Sequence, residues 1–195
     1  MIERKIFDSL INNKIRDSKT ILESLNQNYD YYDFFISYSS KDKKYAMLVK
    51  QLLENMYIDD KKSGYRVYVD YDDSRLDPKC VSGKTAQILS SVIKKAKSII
   101  YIHSQGSSLS PWCPWELGYG QGLNKPISVL ELYDNMDGFE RQAYLELYPT
   151  IVYKTIEGKS QKIFWIHDRK DNRKYINIYR FINGENPYLH KTGGV

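Results

Sequence analysis

Tyr32-Asp33-Phe34-Phe35-Ile36-Ser37-Tyr38-Ser39-Ser40-Lys41-Asp42 is a short apolar and aromatic run that ends abruptly in a polar cluster. That pattern predicts a buried strand leading into a loop. Just beyond it, Tyr45, Leu48, Val49, Leu52, Leu53 and Met56 fall on one face of a helix about three turns long. Ser63 and Gly64 break the pattern, and Tyr65 to Tyr71 reads as a second strand. Ala86, Leu89, Val92, Ile93 and Ala96 form the next helical stripe, followed by strands at 98–103 and 126–132. Strands alternating with helices through short connections imply a parallel sheet covered on both faces, an α/β fold. Ligands of such sheets bind beyond the carboxyl ends of the strands, where the loops 39–42, 72–83 and 104–110 gather.

Outward from this core the reading is simpler. Ile2, Ile6, Leu10 and Ile11, then Ile21, Leu22 and Leu25, predict two short amphipathic helices over residues 2–27. Thr150 to Tyr153 reads as a fifth strand, and 162–167 with 175–181 as an antiparallel hairpin across the turn-rich 168–173. The expected organisation is an N-terminal helical extension (1–30), the α/β domain (31–155) and a C-terminal β extension packed on it (156–195).

Composition narrows the function classes. The chain has 195 residues, one domain's worth, and a net charge of +5 from 29 basic and 24 acidic residues. So mild an excess reads as a solvated surface, and a nucleic-acid partner is not expected. Cys80 and Cys113 belong to no CxxC pair, so neither a disulfide framework nor a metal site is expected. No apolar run of signal-peptide or membrane-spanning type is present, which gives a cytoplasmic expectation with no membrane partner. The 18 tyrosines are scattered, many on apparent strands, and identify no ligand.

Two nucleotide-binding patterns fail on inspection. Ser82-Gly83-Lys84-Thr85 imitates the end of a P-loop, but Pro78 stands where the first glycine is required. Gly118-Tyr119-Gly120-Gln121-Gly122 lacks dinucleotide-fingerprint spacing and follows a helix start instead of opening it.

The segment 32–42 resembles the first conserved box of TIR domains. Ser107-Ser108-Leu109-Ser110-Pro111-Trp112-Cys113-Pro114-Trp115-Glu116-Leu117-Gly118 resembles their third-helix box, in which a tryptophan precedes the catalytic glutamate by four residues. The resemblance spans about residues 31 to 155 and is strongest to bacterial stand-alone TIR proteins, including those of Thoeris-type anti-phage systems. It implies a flavodoxin-like fold and cleavage of NAD into nicotinamide and linear, cyclic or modified ADP-ribose. It further implies NAD as substrate with no cofactor, self-association through TIR contacts and a downstream effector that reads the nucleotide product. By position, Glu116 matches the catalytic glutamate and Trp112 the preceding tryptophan, while Ser37, Tyr38 and Ser39 match positions that line the nucleotide pocket.

The residues bear such chemistry. Cleaving the bond between ribose and nicotinamide builds positive charge on the sugar, and the leaving nitrogen begins cationic. One carboxylate near the ribose suffices to stabilise that state or take a proton from the nucleophile. Pro114 as first helical residue would make Cys113 the cap and place Glu116 at the third position, where the helix dipole favours its ionised form. A glutamate there can also be part of a capping box, although cysteine is a poor cap for one. Trp112 is expected to wall the pocket and Trp115 to pack in the core. One of Ser37 and Ser39 is expected to cap the following helix, and His103 to be a packed strand residue. Asp70 and Asp73 border the long loop, where an acid either meets ribose hydroxyls or, more commonly, is solvated; Asp70 is the substrate-binding candidate of the two. A non-catalytic TIR scaffold and a nucleoside deoxyribosyltransferase-like enzyme remain the competing readings.

Overall fold

The computed structural model describes residues 2–15, 29–58, 61–62, 64–76, 82–133, 142–155 and 162–190. In chain order the elements are β1 (Ile2–Glu3), α1 (Arg4–Ile15), β2 (Tyr32–Ser37), α2 (Lys43–Glu54), β3 (Tyr57–Ile58), β4 (Lys61–Lys62), β5 (Val67–Tyr68), α3 (Gly83–Lys95) and β6 (Ala96–His103). There follow α4 (Gln105–Ser108), α5 (Trp112–Gly122), β7 (Ile127–Tyr133), β8 (Thr150–Thr155), β9 (Lys162–His167), β10 (Lys174–Asn177), α6 (Ile178–Ile182) and β11 (Tyr188–Leu189). The second helix expected in the N-terminal region lies outside the described residues.

One sheet runs in the order β11-β10-β9-β8-β7-β6-β2-β5. From β5 to β8 neighbouring strands are parallel, and β9, β10 and β11 continue antiparallel. The parallel portion, numbered by chain order within itself, reads 2-1-3-4-5, the flavodoxin-like winding. Its switch point falls between β2 and β6, where successive connections leave to opposite faces of the sheet. Strand alternation sorts the core accordingly. Phe34, Ile36, Ile100 and Ile102 face one side with α1 and α2, while Phe35, Ile99 and Tyr101 face the other with α3 and α5. Both ends of the sheet are two-residue strands, β5 and β11.

Several elements differ from the sequence reading, each for a local reason. The second strand is only Val67–Tyr68, because a 3-10 turn at Asp70–Asp72 closes through the Asp73 N–H to the Asp70 carbonyl at 2.9 Å. The loop after β6 contains α4, whose first turn is held by Ser104 accepting from the Ser107 N–H. In the C-terminal hairpin the second strand stops at Asn177, whose side chain accepts from the Arg180 N–H at 2.9 Å and caps α6. β1, which lies parallel beside Leu132 and Tyr133 of β7, and the small β3–β4 hairpin carry no periodicity that could announce them.

Helix α5 reaches the sheet through a glycine. A Cβ on Gly120 would collide with Cδ1 of Ile99, a fully buried strand residue, whereas one on Gly118 meets nothing within 4 Å. Alanine removes the backbone-entropy cost of a helical glycine, about 0.5–1 kcal/mol. Overpacking a tight core costs about 1–3 kcal/mol. Gly118→Ala should therefore raise the melting temperature and Gly120→Ala lower it, measured by thermal unfolding of the two variants side by side.

Candidate active site at the sheet switch point

A cavity of about 530 Å³ opens at the carboxyl ends of β2 and β6, at the switch point. Residues after β2 supply one wall with Tyr38, Ser39, Ser40, Lys41 and Lys43. Residues after β6 supply another with Gly106, Leu109, Ser110, Pro111 and Trp112, and Asp70, Tyr71, Leu76, Thr85 and Leu89 close the third side. Glu116 reaches the cavity from α5 although the residue is only 4% exposed. A second cavity of about 630 Å³ lies at the opposite end of the strands, near Lys125, Tyr148 and Arg169. Its acids, Glu146, Asp168 and Glu185, are not buried, so the smaller cavity is the better site for acid chemistry.

The start of α5 decides how Glu116 behaves. Ser110 Oγ accepts from the N–H groups of Trp112 and Cys113 at 3.3 and 3.4 Å, so the chain is helical two residues earlier than the sequence suggests. Pro111 is the cap and Pro114 the third helical residue, which is tolerated because the first four helical N–H groups have no intrahelical acceptor. Cys113 is thus not the cap, and Glu116 lies in the second turn, beyond a capping box. Its environment reverses the ionisation expected from the dipole. Burial pushes the carboxyl well above the ordinary carboxylate value, the Ser37 hydroxyl bond opposes the rise, and the charge of Asp70 adds to it.

Ser37, the last residue of β2, donates to Glu116 Oε2 at 2.6 Å. It is 1% exposed and lies behind the acid, so it meets Glu116 and not the cavity itself. Tyr38, Ser39, Asp70 and Trp112, the other positions singled out from the sequence, do line the cavity with Glu116. Ser39 caps the 3-10 turn Ser40–Asp42 that precedes α2, its Oγ accepting from the Lys41 N–H, and not α2 itself, whose cap position is Asp42. Trp112 stands edge-on to Trp115, their centroids 5.6 Å apart, and Trp115 stacks on Tyr119, so that the second tryptophan backs the first.

Other candidates fall away. Asp73 is buried and bonded to the Tyr68 hydroxyl and Arg75, which makes it structural instead of solvated. His103 is fully buried on β6 and does not line the cavity. Burial pushes the Cys113 thiol up to about 12, with the Glu116 charge next in importance, leaving no thiolate for nucleophilic chemistry. Sequence reasoning missed Lys41, Lys43, Tyr71 and Thr85. The two lysines had a signal, since cations just past the carboxyl end of a strand border the expected ligand crevice. Among the described residues no group of three or more His, Cys, Asp or Glu could hold a metal ion, and no helix is long and apolar enough to cross a membrane.

An α/β sheet of this winding with one buried glutamate at its switch point is a ligand-binding architecture of nucleotide-sized capacity. The model of the TIR domain family matches residues 31–129, and the chain belongs to that family. It is 35% identical over 173 residues to the Bacillus cereus (strain MSX-D12) protein named "Probable 3' cyclic ADP-D-ribose synthase ThsB'", covering 85% of this chain and 84% of that one. A Cytobacillus dafuensis protein named "Putative cyclic ADP-D-ribose synthase TIR2" is 31% identical over 120 residues. That match takes in 60% of this chain and 30% of the relative's length. Among solved structures, the TIR domain of the Toll-related receptor TRR-2 from Hydra magnipapillata aligns with a TM-score of 0.42 and 20% identity, covering 58% of this chain and 78% of that one.

The sign of the Glu116 shift makes a stability prediction. An acid whose folded value is raised binds its proton more tightly when folded, so the folded state loses stability as pH rises from the unfolded value of 4.5 towards the folded one. Glu116→Gln keeps the shape and the Ser37 bond without the charge. It should melt a few degrees above the wild type at neutral pH, with the difference vanishing below the unfolded carboxyl value.

Proposed function

We propose that this chain is a TIR-domain enzyme that cleaves the nicotinamide glycosidic bond of NAD and releases nicotinamide with linear or cyclic ADP-ribose. The observation that carries the reading is Glu116, a buried carboxyl bonded to Ser37 and presented to a cavity at the sheet switch point. The names of the two bacterial relatives support the same substrate class.

The environment of Glu116 suits a cationic substrate. Burial keeps the empty site's acid protonated more readily than a surface glutamate. The positive nicotinamide ring favours the carboxylate when it enters, and the charge that develops on the ribose favours it further. As the bond breaks, its electron pair leaves with the nicotinamide nitrogen. The new bond at that carbon comes from a water oxygen in hydrolysis, or from another nucleophilic atom of the same ADP-ribose in cyclisation. Glu116 takes any proton released. Trp112 walls the sugar, Asp70 accepts from a ribose hydroxyl, and the lysines at the mouth meet the diphosphate. Lys43 Nζ stands 2.8 Å over the Tyr71 ring, so a cation is held at the rim before substrate arrives. A separate effector that reads the product fits this scheme, since a small nucleotide diffuses away from the site that makes it.

Glu116→Gln should lower nicotinamide release from NAD by about 100- to 10,000-fold, the usual worth of a positioned acid or base. The deciding measurement is product analysis by mass spectrometry on the wild type and this variant. Equal turnover by both would overturn the assignment. In the wild type, kcat/KM should rise with pH along a limb lying above the ordinary carboxylate range, because the ionised acid is the working form. Lys43→Ala should raise KM for NAD about tenfold, the worth of one bond to a charged group, with kcat little changed. Nicotinamide riboside, which has no diphosphate, should be indifferent to that substitution.

A further inference from the structure

Asp42 is 1% exposed, and its carboxylate is engaged from two sides. Ser104 Oγ donates to Oδ2 in a short bond, and Arg4 Nη2 donates to Oδ1 at 3.2 Å. Its own N–H closes the turn after β2 on the Ser39 carbonyl at 2.7 Å. Ser104 meanwhile caps α4, whose Gly106 lies so near that a Cβ there would come within 2.9 Å of Ser39 Oγ and 3.3 Å of Asp42 Oδ2. This carboxylate therefore ties the loop after β2 to the loop after β6, the two loops that form facing walls of the cavity. Burying a carboxylate is costly unless it is hydrogen-bonded and paired with a cation, and Arg4 is the cation paired with Asp42.

Arg4 belongs to α1, outside the family-matched segment 31–129. The helix has its own attachments. Phe7 is fully buried against Tyr45, and Asp8 accepts from Lys44 Nζ at 2.7 Å and from the Tyr45 hydroxyl at 3.2 Å. Loss of the Arg4 head group would thus leave α1 docked and Asp42 without that partner. We propose that Arg4 is a positioning residue for the site, acting through Asp42 to hold both cavity loops in register, so that the N-terminal segment is a working part of the NAD pocket. The kinetic arm of this proposal rests on the NAD-cleaving reading; the structural arm does not.

The test compares Arg4→Ala, Arg4→Lys, the double variant Arg4→Ala/Asp42→Asn and, as a control on the same helix, the exposed Lys5→Ala. In the kinetic arm, Arg4→Ala should raise KM for NAD about tenfold with kcat nearly kept, whereas simple loss of folded enzyme would lower the apparent kcat and leave KM alone. Arg4→Lys should recover most of the loss, and the double variant should improve on Arg4→Ala because no unpaired charge remains buried. Lys5→Ala should match the wild type. In the structural arm, amide hydrogen exchange at 39–42 and 104–108 should quicken about tenfold in Arg4→Ala and much less in Arg4→Lys. Unchanged exchange in Arg4→Ala would overturn the proposal whatever the enzyme does, as would an unchanged KM in an active enzyme. Absence of turnover by the wild type, with exchange altered as stated, would instead remove the functional reading and leave the clamp standing.

Discussion

The bond between Ser37 and Glu116 is the contact on which the site depends. It joins the end of the central strand β2 to the second turn of α5, elements 79 residues apart in sequence, and does so where both partners are buried. A carboxyl group removed from water is costly unless hydrogen-bonded, and one hydroxyl covers only part of that cost. The remainder persists as a raised affinity for the proton, and a cationic substrate can relieve it. Stability and chemistry are coupled at this residue: the burial that weakens the empty protein at neutral pH is what makes the acid responsive to charge on the ligand.

Everything else at the site follows from how α5 is brought to β2. Parallel order forces the connections after β2 and after β6 to opposite faces, which leaves a crevice between them. Gly120 lets α5 settle against Ile99, and the settled helix brings Glu116 under the end of β2. Trp115 stands behind Trp112 and backs that wall of the cavity. Asp42 and Ser104 then secure the two loops above the acid.

Much of this was legible from residue types. Apolar runs marked the strands β2, β6, β7, β8 and β9, of which β2, β6 and β7 are buried on both faces, and helical stripes marked α2 and α3, each of which buries one face. Glu116, Trp112, Tyr38 and Ser39 were placed at the pocket by the resemblance to the TIR boxes, and Asp70 by its position beside the long loop. What was not legible depended on side-chain geometry. The helix start at Trp112 was hidden because a proline at the third position looks like one at the first, and a serine just ahead of Pro111 carries no pattern that marks it as the acceptor for the first N–H donors. The direction of the Glu116 shift was misjudged for the same reason, since a dipole argument ignores the depth at which the side chain lies. Ser37 was expected on the pocket surface, but a strand's last residue can point inward as readily as outward. Arg4 and β1 carry no pattern at all, because a single long-range ion pair and a two-residue strand have no period.

The sheet terminates at each end in a strand of two residues, one bordered by the 3-10 turn at Asp70 and the other following α6 and a short connection. So brief an edge offers few backbone groups for an incoming strand to pair with. Copies of this protein that associate are consequently steered away from continuous β-addition and towards contacts between helices and loops. Such contacts can be made and undone without rebuilding a hydrogen-bonded ladder, which favours assemblies that respond to concentration or ligand over those that lock irreversibly.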